Sequence, residues 1–211
     1  MTPSVTVRRS RGRVRAVVLV LHGGMEHNLD PVGRFQPAAL RMVPFARAMR
    51  LPGVEVWQLR YRVRGWNDEQ RSPVADAQWA LEEVRRRHGA LPVVLLGHSM
   101  GGRAAVNVLD DPSVVGLVAL CPWLPTETAD AAAGRRVVVA HAVDDTTTSP
   151  EQSLRWATSA AAVAASVSYV AVLGSGHSML RRPRVWHRLA RDAVAGMLLG
   201  AGAPGLTRST V

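Results

Sequence analysis

The chain has 211 residues and a mass of 22.7 kDa, which suits a single domain. Hydrophobic residues make up 47% of the chain and charged residues 20%, so the composition is typical of a globular protein and excludes a disordered one. The longest aliphatic run, residues 16–21, is too short to span a bilayer. A single cysteine, Cys121, excludes an internal disulfide framework. We therefore expect a cytoplasmic protein without a membrane span.

The net charge is +10, and all 26 basic residues are arginine. A basic balance can indicate nucleic-acid binding. Here, however, most of the arginines are scattered along a chain rich in alanine and valine, with short clusters in residues 8–15, 85–87 and 181–184. This pattern is typical of a GC-rich genome, so we expect no specific nucleic-acid partner.

Short β-branched apolar runs alternate with helical patterns along the chain. Several runs are almost continuously apolar, as expected for strands that are buried on both faces of a parallel sheet. Residues 4–8 are predicted to form an antiparallel edge strand before the parallel series. The predicted parallel strands are residues 14–21, 54–59, 93–96, 114–121, 137–142 and 167–173, and the predicted helices are residues 38–51, 74–87, 102–109, 150–165 and 183–199.

This alternation predicts an α/β fold, with a mostly parallel central sheet of about six to seven strands and helices on both faces. We expect residues 1–199 to form one domain, because neither a linker nor an internal repeat interrupts the pattern. Residues 200–211 are small, contain glycine and proline and lack periodicity, which favours a flexible tail.

The clearest chemical signal is the segment Gly97-His98-Ser99-Met100-Gly101, which lies between a predicted strand and a predicted helix. It matches the G-x-S-x-G pattern in the strand–turn–helix setting of a nucleophile elbow. In such an elbow a tight turn exposes the serine hydroxyl, and bulky side chains in place of the two glycines would collide with neighbouring backbone. On its own, the segment fits an ordinary turn with a helix-capping serine equally well.

A second signal is the loop His22-Gly23-Gly24-Met25, which follows the first predicted parallel strand. Backbone amides directed at a carbonyl oxygen can stabilise the negative charge that develops there during acyl transfer. The amide of Met100 and that of Gly24, with Met25 as the next choice, are the candidate donors. The alternative interpretation is a Gly-Gly turn that His22 fixes in place.

Two further signals follow later strands. Asp144 and Asp145 come just after His141, and a carboxylate in that position could orient a histidine. His177 lies among small residues in Gly174-Ser175-Gly176-His177-Ser178, and histidine is suited to act as a base near neutral pH. Taken singly, the aspartates also fit turn positions, and His177 is one histidine among seven.

The four signals occur in the order oxyanion loop, serine, acid, histidine, each at the carboxyl end of a predicted strand, where ligands bind in open α/β sheets. In this arrangement the chain resembles the α/β-hydrolase fold superfamily over residues 14–199. The resemblance implies a catalytic triad with Ser99 as nucleophile and His177 as base. The acid loop of the family often reads His-Gly-x-x-Asp, which implies Asp145 as the acid, although Ala142 replaces the glycine here.

Many members of this superfamily carry a cap domain after the strand that follows the elbow helix. The segment between Cys121 and Arg135 is too short for a helical cap, so small lidless esterases are most similar. We expect an open cleft in which Met25 and Trp123 contact the substrate.

The sequence thus predicts a serine hydrolase that cleaves a small acyl ester through an acyl-enzyme. An acyltransferase, a thioesterase, a small amidase, or a receptor-like relative that binds ligand with weak turnover are the alternatives, since fold and triad do not separate them. No cofactor is expected, and no metal, because the lone cysteine and the scattered histidines show no ligand spacing. The expected partner is a small acyl substrate, and the expected state is a monomer or a homodimer.

Overall fold

An eight-stranded, mostly parallel sheet forms the centre of the computed structural model, which describes residues 2–198 and 206–211. The strands are β1 (Ser4–Arg8), β2 (Ala16–Leu21), β3 (Val54–Arg60), β4 (Val93–His98), β5 (Val114–Leu120), β6 (Arg136–Ala142), β7 (Ser166–Val172) and β8 (Leu206–Thr210). Their order is β1-β3-β2-β4-β5-β6-β7-β8, in which β1 is antiparallel to β3 and the other neighbours are parallel.

Helices cover both faces of the sheet because the central strands are apolar on both. In β2, Val17 and Leu19 pack into one core, while Ala16 and Val18 pack into the other. The helices are α1 (Pro37–Ala48), α2 (Ser72–His88), α3 (Met100–Val106), α4 (Pro150–Ala160) and α5 (Pro183–Leu198). Buried side chains of α2, α3 and α4 pack in the first core, and those of α5 and most of those of α1 pack in the second.

The start of α4 follows the sequence closely. Ser149 is its N-cap residue, and its Oγ accepts a hydrogen bond from the amide of Gln152 at 3.1 Å. Pro150 occupies the first turn, where a backbone N–H would have no acceptor within the helix, so the missing N–H of proline costs no hydrogen bond. The helix therefore begins directly after the loop that contains Asp145, and it fixes one end of that loop.

The predicted fold class is confirmed, but the strand count is higher than the predicted six to seven. The prediction of a flexible tail over residues 200–211 is wrong for Leu206–Thr210, which pair with β7 as β8. Their polar sequence has no apolar alternation to mark a strand, and the strand depends on backbone hydrogen bonds offered by the neighbouring β7. Residues 199–205 lie outside the described residues.

The connection from β5 to β6 runs over residues 121–135 and contains one short 3₁₀ helix, Asp130–Ala132. It begins at the carboxyl end of β5, where a cap domain would be inserted, and returns to the amino end of the parallel strand β6. Within the described ranges, no helix combines the length and the apolar character that crossing a bilayer requires.

Candidate active site

Ser99 lies on a strained turn between β4 and α3. Its backbone angles are φ 56° and ψ −123°, a region that residues with a side chain rarely adopt. A Cβ atom added at Gly97 would collide with the carbonyl of Gly101, and one added at Gly101 would collide with the carbonyls of Leu21 and His22. Both glycines are therefore needed because backbone passes so close to them, as the sequence predicted.

Three side chains from separate loops form a continuous chain of hydrogen bonds. Ser99 Oγ lies 3.0 Å from Nε2 of His177. The other ring nitrogen of His177, Nδ1, lies 2.8 Å from Oδ2 of Asp145. A carboxylate oxygen can only accept, so Nδ1 carries the proton and Nε2 is free to accept the hydroxyl proton of Ser99.

The structure brings Asp145, and not the exposed Asp144, to His177. Oδ1 of Asp145 accepts hydrogen bonds from the amides of Thr147 (2.8 Å) and Thr148 (3.0 Å). Burial by itself raises the pKa of this carboxyl group. Hydrogen bonds from His141, His177 and the two amides outweigh burial and hold the pKa of Asp145 well below its usual value. The carboxylate is therefore charged at neutral pH.

His141 is a second histidine on the same carboxylate. It is completely buried, and its Nε2 lies 3.1 Å from Oδ2 of Asp145. Its Nδ1 lies 2.8 Å from Oγ of Ser153, which is also fully buried on α4. With the serine hydroxyl donating to Nδ1, the ring donates its Nε2 proton to Asp145. His141 thus links the carboxylate to the helix that follows the loop.

His98 connects the elbow to the loop of the base. Its Nε2 donates to the backbone carbonyl of His177 at 3.0 Å, and the two rings lie 4.9 Å apart. Burial, and then the neighbouring His177, lower the pKa of His98 to about 3, so the ring is neutral. Ser175 fixes the same loop from the other side, because its Oγ accepts a hydrogen bond from Nε1 of Trp186 at 2.8 Å.

Within the described structure, the loop of residues 22–25 after β2 contains two glycine amides without an acceptor. The amide of Met25 donates to the carbonyl of Arg64 at 2.9 Å, which removes Met25 as an oxyanion donor. The amides of Gly23 and Gly24 have no acceptor among the described residues. Met100 is the first residue of α3, and its amide has no carbonyl one turn earlier in the helix. The two predicted donors, Gly24 and Met100, are thus both available, whereas Met25 is not.

His22 and Met100 set the shape of this loop. His22 is buried, its Nδ1 donates to the carbonyl of Gly23 at 2.6 Å, and burial lowers its pKa to about 4. A Cβ added at Gly24 would meet the buried side chain of Met100, 2.6 Å from its Sδ. A larger residue at position 24 would therefore push the loop away from the elbow.

Two residues were predicted to contact the substrate. Trp123 is hydrogen-bonded to the nucleophile elbow, and the side chain of Met25 is exposed in the loop after β2. The amide of Trp123 donates to the carbonyl of Ser99 at 3.2 Å. Its ring stacks on the guanidinium of Arg103, which also lies against the ring of Trp66. Trp123 and Asp145 also line a cavity of about 440 Å³.

Cys121, His141 and Asp145 place potential metal-ligand atoms within 4.8 Å of one another. The sequence analysis missed this proximity, since it arises only when the ends of β5 and β6 pair. The imidazole and the carboxylate already bond to each other, and both nitrogens of His141 have partners. The thiol is buried, and burial raises its pKa far above the usual value. The group therefore fits a metal poorly, since a thiol must lose its proton to bind one.

Among curated proteins, none matches this chain in sequence. Many solved structures share its fold, among them a thermophilic esterase from the Planctomycetes species Thermogutta terrifontis, with a TM-score of 0.72 and 16% identity over 94% of this chain and 89% of that one. Est1E from Butyrivibrio proteoclasticus has a TM-score of 0.71 at 10% identity, covering 93% and 95%. An α/β serine hydrolase without a lid from Xanthomonas campestris has a TM-score of 0.69 at 15% identity, covering 92% and 88%.

These three structures share the fold of this chain. The family model described as serine aminopeptidase, S33, matches residues 12–193, which include the elbow, the acid loop and the histidine loop. The chain therefore belongs to the serine aminopeptidase S33 family of α/β hydrolases.

Proposed function

We propose that this chain is a serine esterase that hydrolyses small acyl esters through a covalent acyl-enzyme. The observation that carries the proposal is the hydrogen-bonded sequence from Ser99 through His177 to Asp145. A serine hydroxyl is a weak nucleophile unless a base accepts its proton as it attacks. His177 is placed to do this, and the charged Asp145 stabilises the imidazolium that results.

In the first half of the reaction, Ser99 Oγ bonds to the acyl carbon while its proton passes to Nε2 of His177. The carbonyl oxygen becomes negative and faces the amides of Gly24 and Met100. The tetrahedral intermediate then collapses, the bond to the alcohol breaks, and His177 returns the proton to the leaving oxygen. In the second half, water attacks the acyl carbon while His177 accepts one of its protons. The bond between the acyl carbon and Ser99 Oγ then breaks, His177 returns the proton to Oγ, and the carboxylic acid is released.

An ester is favoured over an amide because its alcohol is the better leaving group, and a small ester is favoured because the β5–β6 connection carries no cap domain over the site. The connection over residues 121–135 leaves the carboxyl end of the sheet without a cap domain. Amide cleavage requires protonation of a poor amine leaving group, whereas the alcohol of an ester leaves more readily. Several proteins with this fold are named as esterases, which supports the same choice.

The decisive experiment compares the Ser99→Ala variant with wild type and with Ser159→Ala, which removes an exposed hydroxyl on α4. Fluorophosphonate labelling and hydrolysis of p-nitrophenyl acetate should disappear in Ser99→Ala and persist in Ser159→Ala. Mass spectrometry should place the label on the peptide that contains Ser99. Labelling that survives in Ser99→Ala would refute the proposal.

A substrate panel separates the ester from its alternatives. Matched acetyl esters, thioesters and aminoacyl p-nitroanilides should be tested with the same enzyme, with and without a primary alcohol as a competing acyl acceptor. We expect the ester to give the highest kcat/KM, with water as the main acceptor. A higher kcat/KM for the aminoacyl anilide would instead indicate a peptidase, and a dominant transesterification product would indicate an acyltransferase.

A further inference from the structure

A cavity lined by arginines lies at the end of the sheet opposite Ser99. Because β1 is antiparallel to β3, its last residues lie beside the amino end of the parallel strands. The cavity there has a volume of about 620 Å³, and we call it the arginine cavity. Its lining includes four arginines from two chain segments, together with an apolar wall; these are Arg8, Arg9, Arg11, Arg50, Leu51 and Pro52.

The arginines of this cavity have no carboxylate partner within the described residues. Arginines elsewhere in the chain do pair with acids, for example Arg62 with Asp76 and Arg85 with Asp111. A second cavity of about 410 Å³ shares Arg50 and adds further basic side chains from α1 and α5, namely Arg47, Arg188 and Arg191. Positive charge is therefore concentrated here without internal neutralisation.

Within the arginine cavity, one guanidinium nitrogen of Arg8 is buried without a hydrogen-bond partner in the described structure. This atom, Nη1, is shielded from solvent. A buried guanidinium nitrogen without a partner is costly, and such atoms in native proteins commonly mark an ion or water site. Burial, and then the neighbouring Arg47 and Arg50, lower the pKa of Arg8, which is the expected result of crowding like charges.

We propose that the arginine cavity binds a small phosphate-bearing anion. Guanidinium groups form paired hydrogen bonds with phosphate oxygens, and several of them around one concave space suit a group that concentrates negative charge. The volume lies within the range of small-molecule sites. A duplex or a bilayer is disfavoured as the occupant, because it would contact the outer arginines without reaching the buried Nη1 of Arg8.

The test is calorimetric titration of the full-length protein with sodium pyrophosphate and with ATP, at constant ionic strength in a phosphate-free buffer. We expect saturable binding at one site for at least one of them. The Arg8→Gln/Arg50→Gln variant should lose affinity by roughly tenfold or more, since charge-assisted hydrogen bonds are removed. The control Arg155→Gln, an exposed arginine of α4 with the same charge change, should bind as wild type does.

Two features keep the test decisive. Arg50 is exposed, so Arg50→Gln alone should fold normally and should still weaken binding if the double variant proves unstable. Hydrolysis of p-nitrophenyl acetate should be unchanged at saturating anion, because the cavity and Ser99 lie at opposite ends of the sheet.

Tighter binding of ATP than of pyrophosphate would identify a nucleotide as the ligand, and equal affinities would identify the phosphate group alone.

The proposal fails if neither anion binds at constant ionic strength, or if the double variant binds both as well as wild type. It also fails if anion competes with the ester substrate, since the anion would then lie at Ser99. Binding restricted to duplex DNA or to phosphatidylglycerol vesicles, with a steep loss of affinity as salt rises, would show a polyelectrolyte surface instead of a small-molecule site.

Discussion

At the scale of single residues, two adjacent aspartates have opposite surroundings. Asp145 is buried and bonds to His177, whereas Asp144 is exposed. Asp145→Asn should therefore lower kcat by roughly 10⁴, because an amide in that position favours the wrong tautomer of the base. Asp144→Asn removes the same charge one residue away and should leave kcat almost unchanged. Steady-state kinetics with p-nitrophenyl acetate decides between them, and the opposite ranking would refute the assignment of the acid.

His141 is expected to position the carboxylate of Asp145. It donates to the same oxygen of Asp145 that His177 uses, from a fully buried position. A hydrogen bond to a charged group contributes about 1.5–3 kcal/mol. Replacing His141 with Phe should consequently lower kcat by roughly ten- to a hundredfold with little change in KM.

A readout beyond rate distinguishes positioning from simple loss of packing. The acid limb of the kcat profile reports protonation of the base. Without the hydrogen bond from His141, Asp145 interacts more strongly with the imidazolium form of the base, so this limb should shift to higher pH in His141→Phe. His141→Gln can still donate an amide proton and should recover much of the activity and the original profile. An unshifted profile together with a general loss of stability would indicate a structural role alone.

Ser99, His177 and Asp145 were predicted because each follows a strand and carries distinctive chemistry, and the family resemblance favoured Asp145 over Asp144. The hydrogen bonds by which His98, Thr148 and Ser153 hold the loops of this site were not predicted. Serine and threonine in turns are common, and a contact such as that between Ser153 and His141 exists only after a helix has packed against the sheet. His141 itself served to count positions in the acid loop, and its bond to Asp145 had no sequence signal.

At the scale of elements, the short connection from β5 to β6 determines how the substrate is enclosed. A buried methylene group contributes up to about 0.8 kcal/mol, but only where apolar walls exclude water. Without a cap domain, walls such as Trp123 and the exposed Met25 can enclose only a few carbons. We expect kcat/KM for p-nitrophenyl esters to rise over the shortest acyl chains and then to level off, without activation at a lipid interface. A steady rise up to palmitate, measured below aggregation, would contradict this.

The elements themselves were largely predictable, for a physical reason. Strands buried on both faces must be apolar throughout, and β2 to β7 all fell within predicted runs to within a few residues. Helix ends were less predictable; α4 ends at Ala160, although the small apolar residues that follow have good helix propensity. β8 was missed because an edge strand needs only a partner backbone, and the sequence of Leu206–Thr210 carries no pattern of burial.

At the scale of the whole molecule, buried neutral histidines make stability depend on pH. Burial lowers the pKa of His22 from 6.5 to about 4, and burial followed by His177 lowers that of His98 to about 3. Above pH 6.5 each ring is neutral in both the folded and the unfolded state. As the pH falls below 6.5, the unfolded chain binds protons that the folded protein does not, so the free energy of unfolding decreases. Each histidine contributes up to about 1.4 kcal/mol per pH unit until its folded pKa is reached.

Chemical unfolding at pH 7, 6 and 5 tests this expectation. The free energy of unfolding should decrease over the series, and His98→Gln, which does not titrate, should decrease less steeply even if it is less stable at pH 7. Asp145 does not affect this comparison. Because the pKa of Asp145 is lowered in the folded protein, the stability that its charge contributes is lost only when the pH falls below about 4, close to the ordinary pKa of 3.8. Equal slopes for variant and wild type would contradict the assignment of a neutral His98.

The strained backbone of Ser99 also has an evolutionary consequence. A φ of 56° costs little for glycine, but on the order of 1–3 kcal/mol for a residue with a side chain. Ser99→Gly and Ser99→Ala both remove the nucleophile, yet Ser99→Gly alone relieves the strain and should be the more stable of the two by about 1 kcal/mol. A duplicated gene released from selection for catalysis could therefore gain stability through this one change. Selection for catalysis is therefore needed to retain serine at position 99 against the gain in stability that glycine offers.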